Sequence, residues 1–145
     1  MLEVYRPELF DVVNSLAKEM AAESSFRDSS WNAAKLEALL SSPSVYCALV
    51  KGEEGYYGGI IGIITEQFFG DDLIACDLGL FILQRKRGGS AAPRLIQAFE
   101  HWAKEQGAKE IHMSQSTGVE MDRTRRLYES MGYTVTGFSS KKEVK

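Results

Sequence analysis

The chain of 145 residues has only two cysteines, two histidines and three prolines, and no apolar run of membrane-spanning length. Cys47 and Cys76 each lie inside apolar, strand-like segments without metal-ligand spacing, so they read as small core residues of a reduced protein. His101 and His112 have no partner at metal-ligand spacing, and no metal is expected. The segment Met1–Arg6 lacks the basic and apolar regions of a signal peptide. A cytoplasmic protein that engages no membrane is therefore expected. The net charge of −3 argues against the basic face that nucleic-acid binding requires. Apolar residues make up 44% and charged residues 26%, near globular averages, which speaks against a disordered or fibrous chain. One domain spanning 1–145 is expected, since the length supports one core and is short for two.

What is present is an alternation of strand and helix patterns. Leu2 to Tyr5 reads as a short strand. Pro7 suits an early helical position, and Leu9, Val12, Val13, Leu16 and Met20 then repeat at helical spacing to about Ala22. A polar, serine-rich link from Glu23 to Ser30 leads to a second helix, ended before Pro43. Ser44 to Val50 and Tyr56 to Glu66 read as a hairpin. Leu73 to Leu83 is almost wholly apolar, as in a central strand, with Asp77 its only charge. A third helix begins near Gly89 or Ser90, tolerates Pro93 in its first turn and stops at Gly107. Lys109 to Gln115 reads as a strand, Val119 to Met131 as a helix, and Tyr133 to about Glu143 as a last strand.

The run Gln84-Arg85-Lys86-Arg87-Gly88-Gly89-Ser90-Ala91 sits between the central strand and the third helix. Small residues there let backbone N–H groups approach a ligand, and a helix N-terminus offers unpaired donors with partial positive charge. Basic side chains strengthen the same field, so the run reads as a phosphate cradle, with a pyrophosphate the expected anion.

The spacing Arg85-x-x-Gly88-x-Ser90, with Leu127-Tyr128-Glu129-Ser130-Met131-Gly132-Tyr133 downstream, resembles the GNAT superfamily of acyl-CoA-dependent N-acyltransferases. That family's loop runs Arg or Gln, two residues, Gly, one residue, Gly or Ala. The resemblance implies an α/β fold with a mixed, mostly antiparallel sheet of about six strands, a V-shaped splay and about four helices. It implies acetyl-CoA as cosubstrate and an amine as acceptor. Backbone groups of Leu80, Phe81 and Ile82 would meet the pantetheine arm, while Arg85, Lys86, Arg87, Gly88, Gly89, Ser90 and Ala91 would hold the pyrophosphate. Tyr128 would protonate the departing thiolate. Asp77 and Glu66 compete for the role of base toward the amine, and Glu23, Asp28, Asp71 and Asp72 are candidates for the mouth of an acceptor pocket. Two positions depart from the family pattern: Met121 stands where an asparagine is common, and Thr124 where alanine is usual. A homodimer through the last strands is a further expectation. The alternatives are a catalytically silent binding or regulatory module of the same fold and, more remotely, a nucleic-acid binder using Arg85, Lys86 and Arg87.

Overall fold

A computed structural model describes residues 1–115 and 117–144. In chain order the elements are β1 (Leu2–Val4), a turn of 3-10 helix at Pro7–Leu9, α1 (Phe10–Glu23), α2 (Ala33–Leu40), β2 (Val45–Gly52), β3 (Gly55–Glu66), β4 (Leu73–Ile82), a second 3-10 turn at Gln84–Lys86, α3 (Ala91–Glu105), β5 (Glu110–His112) and α4 (Met121–Ser130). The five strands form one sheet in sequence order. Pairs from β1 to β4 are antiparallel, and β5 lies parallel to β4 after the α3 crossover.

Each face of the sheet has its own apolar cluster. Leu9, Val13 and Leu40 cover Cys47 and Leu49 on one side. On the other, α3 presents Leu95, Ile96, Phe99 and Ala103 at helical spacing, all fully buried against Val50, Ile60 and Ala75. Gly62 makes this contact possible: a Cβ there would lie 2.2 Å from Phe99 Cε1. Burying these side chains contributes roughly 1.5–3 kcal/mol each.

The splay that positions the site has two local causes. Between β3 and β4 the register steps from Gly62↔Asp77 to Ile61↔Gly79, leaving Leu78 as an extra, half-exposed residue. Such a bulge bends and twists its strand. β5 pairs with β4 only from Ile74↔Glu110 to Cys76↔His112. Beyond that point, β4 runs on to Ile82 with its outer edge unpaired by β5.

Among the described residues the sheet has five strands rather than about six, because residues 133–144 follow Gly132 without forming a strand. Tyr133 is drawn toward α3 by its hydroxyl, which donates to Glu100 Oε2 at 2.8 Å. Val135, Phe138 and Val144 remain exposed. With no apolar face to bury, nothing offsets the roughly 1–2 kcal/mol per residue that ordering a strand costs.

Candidate active site

Where β4 and β5 part, a groove of about 300 Å3 opens. Its floor is Leu80–Ile82, one wall is the loop Lys86–Gly89 with the first turn of α3, and the other is the start of α4 with the segment before it. The end of α1, at Met20 to Ser24, covers the front. Leu83 N donates to Tyr57 O, so the alternation of an antiparallel ladder turns the backbone groups of Phe81 toward β3 and those of Leu80 and Ile82 toward the open edge.

The features suited to an anion are local and backbone-based. Gly88 has φ +95°, and a Cβ at that position would lie 2.7 Å from Arg123 Nη2. The positive φ favours glycine there, whereas the arginine end can swing aside for a side chain. At the N-cap of α3, Ser90 makes no side-chain capping bond, and the first intrahelical bond runs from Arg94 N to Ser90 O. The N–H groups of Ala91 and Ala92 precede that bond in a turn whose residues line the groove, which makes this helix end suited to an anion.

The three basic loop residues have separate fates. Arg87, 16% exposed in its side chain, donates from Nε to Ile82 O at 2.8 Å, from Nη1 to Glu120 Oε2 at 3.1 Å and from Nη2 to Glu23 Oε1 at 2.5 Å. Its guanidinium also lies over the Phe81 ring. Lys86 lines the groove with its ammonium near the Tyr57 ring. Arg85 is outside the groove, 62% exposed and 3.9 Å from Glu54 on the β2–β3 turn. Ser90 stands at the N-cap position without lining the cavity. Arg85 is displaced because the 3-10 turn at Gln84–Lys86 points it toward that hairpin. The three cations therefore do not form one exposed basic patch of the kind nucleic-acid binding uses.

Asp77 and Tyr128 meet at Ser114, just past β5. Asp77 Oδ1 accepts from Ser114 N at 2.9 Å and from Ser114 Oγ at 3.2 Å, while the Tyr128 hydroxyl donates to Ser114 O at 3.1 Å. Burial raises the Asp77 pKa, partly countered by the Ser114 bonds. Burial first, and then the Asp77 charge, raise that of Tyr128, so its hydroxyl stays protonated. Glu66 is not part of this group. It is exposed and pairs with Leu73, four residues up β4 from Asp77, on the order of 13 Å away by strand rise. Asp71 and Asp72 lie on the same β3–β4 turn, where Asp72 pairs with Lys109 at 3.5 Å, so they do not line the groove. Of the four acidic candidates for an acceptor mouth, Glu23 alone lines the groove, and it is held by Arg87.

Several groove residues carried no readable signal in the sequence. Glu120 is left-handed, with φ 45°, and bonds Arg123 as well as Arg87; both arginines lower its pKa. Gln115 Nε2 donates to Val119 O at 2.7 Å and to Thr124 Oγ1 at 3.4 Å, so Thr124 helps fix the loop before α4. Met121 is 58% exposed and does not line the groove. Among the described residues, no cluster of His, Cys, Asp and Glu could hold a metal, and no helix is long and apolar enough to cross a membrane.

A splayed α/β sheet with a glycine loop opening a helix defines an acyltransferase-type fold. The profile of the acetyltransferase (GNAT) family matches residues 8–133, and the chain belongs to that family. Comparison with curated proteins returned no match. Among solved structures, an aminoglycoside acetyltransferase, meta-AAC0020, from an uncultured soil metagenomic sample is similar at 18% identity and TM-score 0.77, covering 100% of this chain and 95% of that one. AAC(6')-Iy, crystallised with a CoA-containing bisubstrate analog, is similar at 15% identity and TM-score 0.80, covering 100% and 97%. A ribosomal-protein-alanine N-acetyltransferase from Brucella melitensis biovar Abortus 2308 is similar at 14% identity and TM-score 0.74, with 99% of each chain covered. At these identities the likeness is one of fold.

Proposed function

We propose that this protein is an acetyl-CoA-dependent N-acetyltransferase that moves the acetyl group directly from the thioester to a primary amine of a small molecule, peptide or protein. The observation that carries this reading is the groove itself. It combines the open edge of β4, the glycine-formed loop and the uncapped start of α3 in one cavity. A diphosphate at the α3 N-terminus would meet unpaired N–H groups and the positive end of the helix, and the pantetheine arm would pair with Leu80 and Ile82 at the open edge. Because Arg87 lies on the groove wall and Arg85 does not, the loop is better aligned as Arg87-x-x-Ser90-x-Ala92. That one relative by fold, AAC(6')-Iy, was crystallised both with CoA and with a CoA-containing bisubstrate analog supports the ligand class.

The thioester supplies an electrophilic carbonyl and a thiolate leaving group. Holding it beside the amine in one groove is worth ~7–11 kcal/mol, more than any single proton transfer. An amine of pKa about 10.4 must first lose a proton, which costs roughly 4–5 kcal/mol at pH 7. Asp77, with its raised pKa, is the carboxylate near the splay suited to accept that proton, directly or through water. Tyr128, kept protonated by burial, donates toward the departing sulfur after releasing the Ser114 carbonyl. The open-edge N–H of Leu80 or Ile82 is suited to the oxygen of the tetrahedral adduct. The acceptor enters from the side covered by α1, α2 and their connection.

A second reading, a binding module without turnover, is favoured by two observations. The Tyr128 hydroxyl is engaged by Ser114, and Tyr128 does not line the groove. Calorimetric titration with acetyl-CoA, run beside Gly88→Glu, tests the ligand. Release of CoA thiol across a panel of amines then separates the two readings. Binding that is lost in Gly88→Glu, together with amine-dependent thiol release, supports the enzyme. Binding without release from any amine supports the module, and no binding overturns both.

A further inference from the structure

We propose that Glu23 and Glu120 make the groove selective for a donor that carries a diphosphate. The Glu23 carboxylate holds the place on Arg87 that a diphosphate oxygen takes, Glu120 keeps Arg87 beside Arg123, and the ligand enters by exchanging with Glu23. This rests on the acyl-CoA reading.

All three guanidinium nitrogens of Arg87 are engaged, by the Ile82 carbonyl, Glu120 and Glu23. Those acceptors belong to the end of β4, the N-cap of α4 and the last residue of α1, so the contacts cross the groove from wall to wall. The other oxygen of Glu120, Oε1, receives Arg123 Nη1 at 3.1 Å, beside Gly88. The order Glu23, Arg87, Glu120, Arg123 alternates in sign and sums to zero charge. In that state each nitrogen of Arg87 already donates to a carbonyl or carboxylate oxygen, so an incoming anion meets a competitor at both ends of the guanidinium fork.

The two carboxylates are not held equally. Glu120 binds two guanidiniums and stands at the N-terminus of α4, where the helix field favours a negative charge. Glu23 contacts one guanidinium and ends α1, where the helix field opposes it. Glu23 therefore leaves first, while Glu120 keeps Arg87 and Arg123 together as a pair flanking Gly88. Both arginines line the cavity that also contains the α3 N-terminus. A diphosphate brings enough charge to replace a carboxylate on Arg87 and gains bidentate geometry there. A pantetheine thioester without phosphate brings no charge, and leaves the contacts closed.

The test compares the parent with Glu23→Gln and Glu19→Gln. Glu19 is an exposed residue one turn earlier on α1, and its replacement makes the same change in net charge. Dissociation constants are measured for acetyl-CoA, inorganic pyrophosphate and S-acetylpantetheine. Glu23→Gln is expected to bind acetyl-CoA and pyrophosphate about three- to tenfold more tightly. S-acetylpantetheine should be unaffected, and Glu19→Gln should match the parent throughout. Equal affinities in Glu23→Gln and parent, or an equal gain for S-acetylpantetheine, would overturn the proposal while acetyl-CoA binding by the parent kept the functional reading intact. Tighter pyrophosphate binding in a protein that ignores acetyl-CoA would overturn the functional reading instead.

Discussion

Asp77 and Tyr128, 51 residues apart in the chain, are joined through one residue: Asp77 accepts the N–H and hydroxyl of Ser114, and Tyr128 donates to its carbonyl. Ser114 lies just beyond the last β4–β5 pair, so this contact closes the base of the splay. It also puts the basic and acidic candidates for acyl transfer within one hydrogen-bonded group.

Tyr128→Phe is expected to lower kcat by ~10²–10⁴ while changing acetyl-CoA affinity less than about twofold. Loss of the bond to Ser114 should also cost about 1 kcal/mol of stability. Steady-state kinetics, calorimetry and urea unfolding give the three values. Unchanged kcat with lowered stability would leave Tyr128 a structural residue only.

Asp77 gives a pH signature. Its folded pKa is raised above 3.8, so between the unfolded and folded values the native state holds the extra proton, and stability falls as pH rises through that window. Asp77→Asn removes this dependence. Relative to the parent, the variant should gain stability on going from about pH 4 toward neutrality, as read from urea midpoints across the range. If Asp77 also accepts the proton of the amine, the variant loses turnover despite the gain.

The loop alignment separates two arginines. Arg87→Ala should weaken acetyl-CoA binding about tenfold or more, through loss of charge-assisted bonds. Arg85→Ala, which removes only an exposed contact 3.9 Å from Glu54, should leave it nearly unchanged. Titration of both variants decides between the two alignments.

Gly62→Ala tests the packing of α3 on the sheet. The added methyl would sit 2.2 Å from Phe99 Cε1. Destabilisation of about 1–3 kcal/mol is expected, and partial recovery in combination with Phe99→Leu. A double-mutant cycle in urea measures the coupling.

The two thiols should differ in reactivity. Burial pushes the Cys47 thiol up to about 12. Cys76 is only partly buried, with a smaller rise from burial and from the Asp77 charge. Alkylation of the native protein at pH 8 should therefore mark Cys76 before Cys47, as peptide mass mapping would show.

Most of the fold was legible in the sequence because the elements are periodic. The stripe from Leu95 to Ala103 marks α3, the apolar run from Leu73 marks β4, and Gly107 and Gly132 end their helices with φ +85° and +94°. The last strand was misread because Thr134 to Phe138 has strand chemistry without a face to bury. Tyr133 directs its polar end to Glu100 on α3, and the tail leaves the sheet.

The site was legible only in part. The sequence by itself determined the strand, glycine loop and helix order, and with it the place proposed for an anion, because that chemistry uses backbone N–H groups set by local conformation. It also set Gly88, whose positive φ belongs to its own residue. Only the tertiary structure decided which arginine faces the groove, that Glu66 stands apart while Asp77 and Tyr128 share Ser114, and that Glu23 and Glu120 engage Arg87. These are contacts between side chains distant in sequence. They depend on the bulge at Leu78 and on the early end of β4–β5 pairing, neither of which any local pattern specifies.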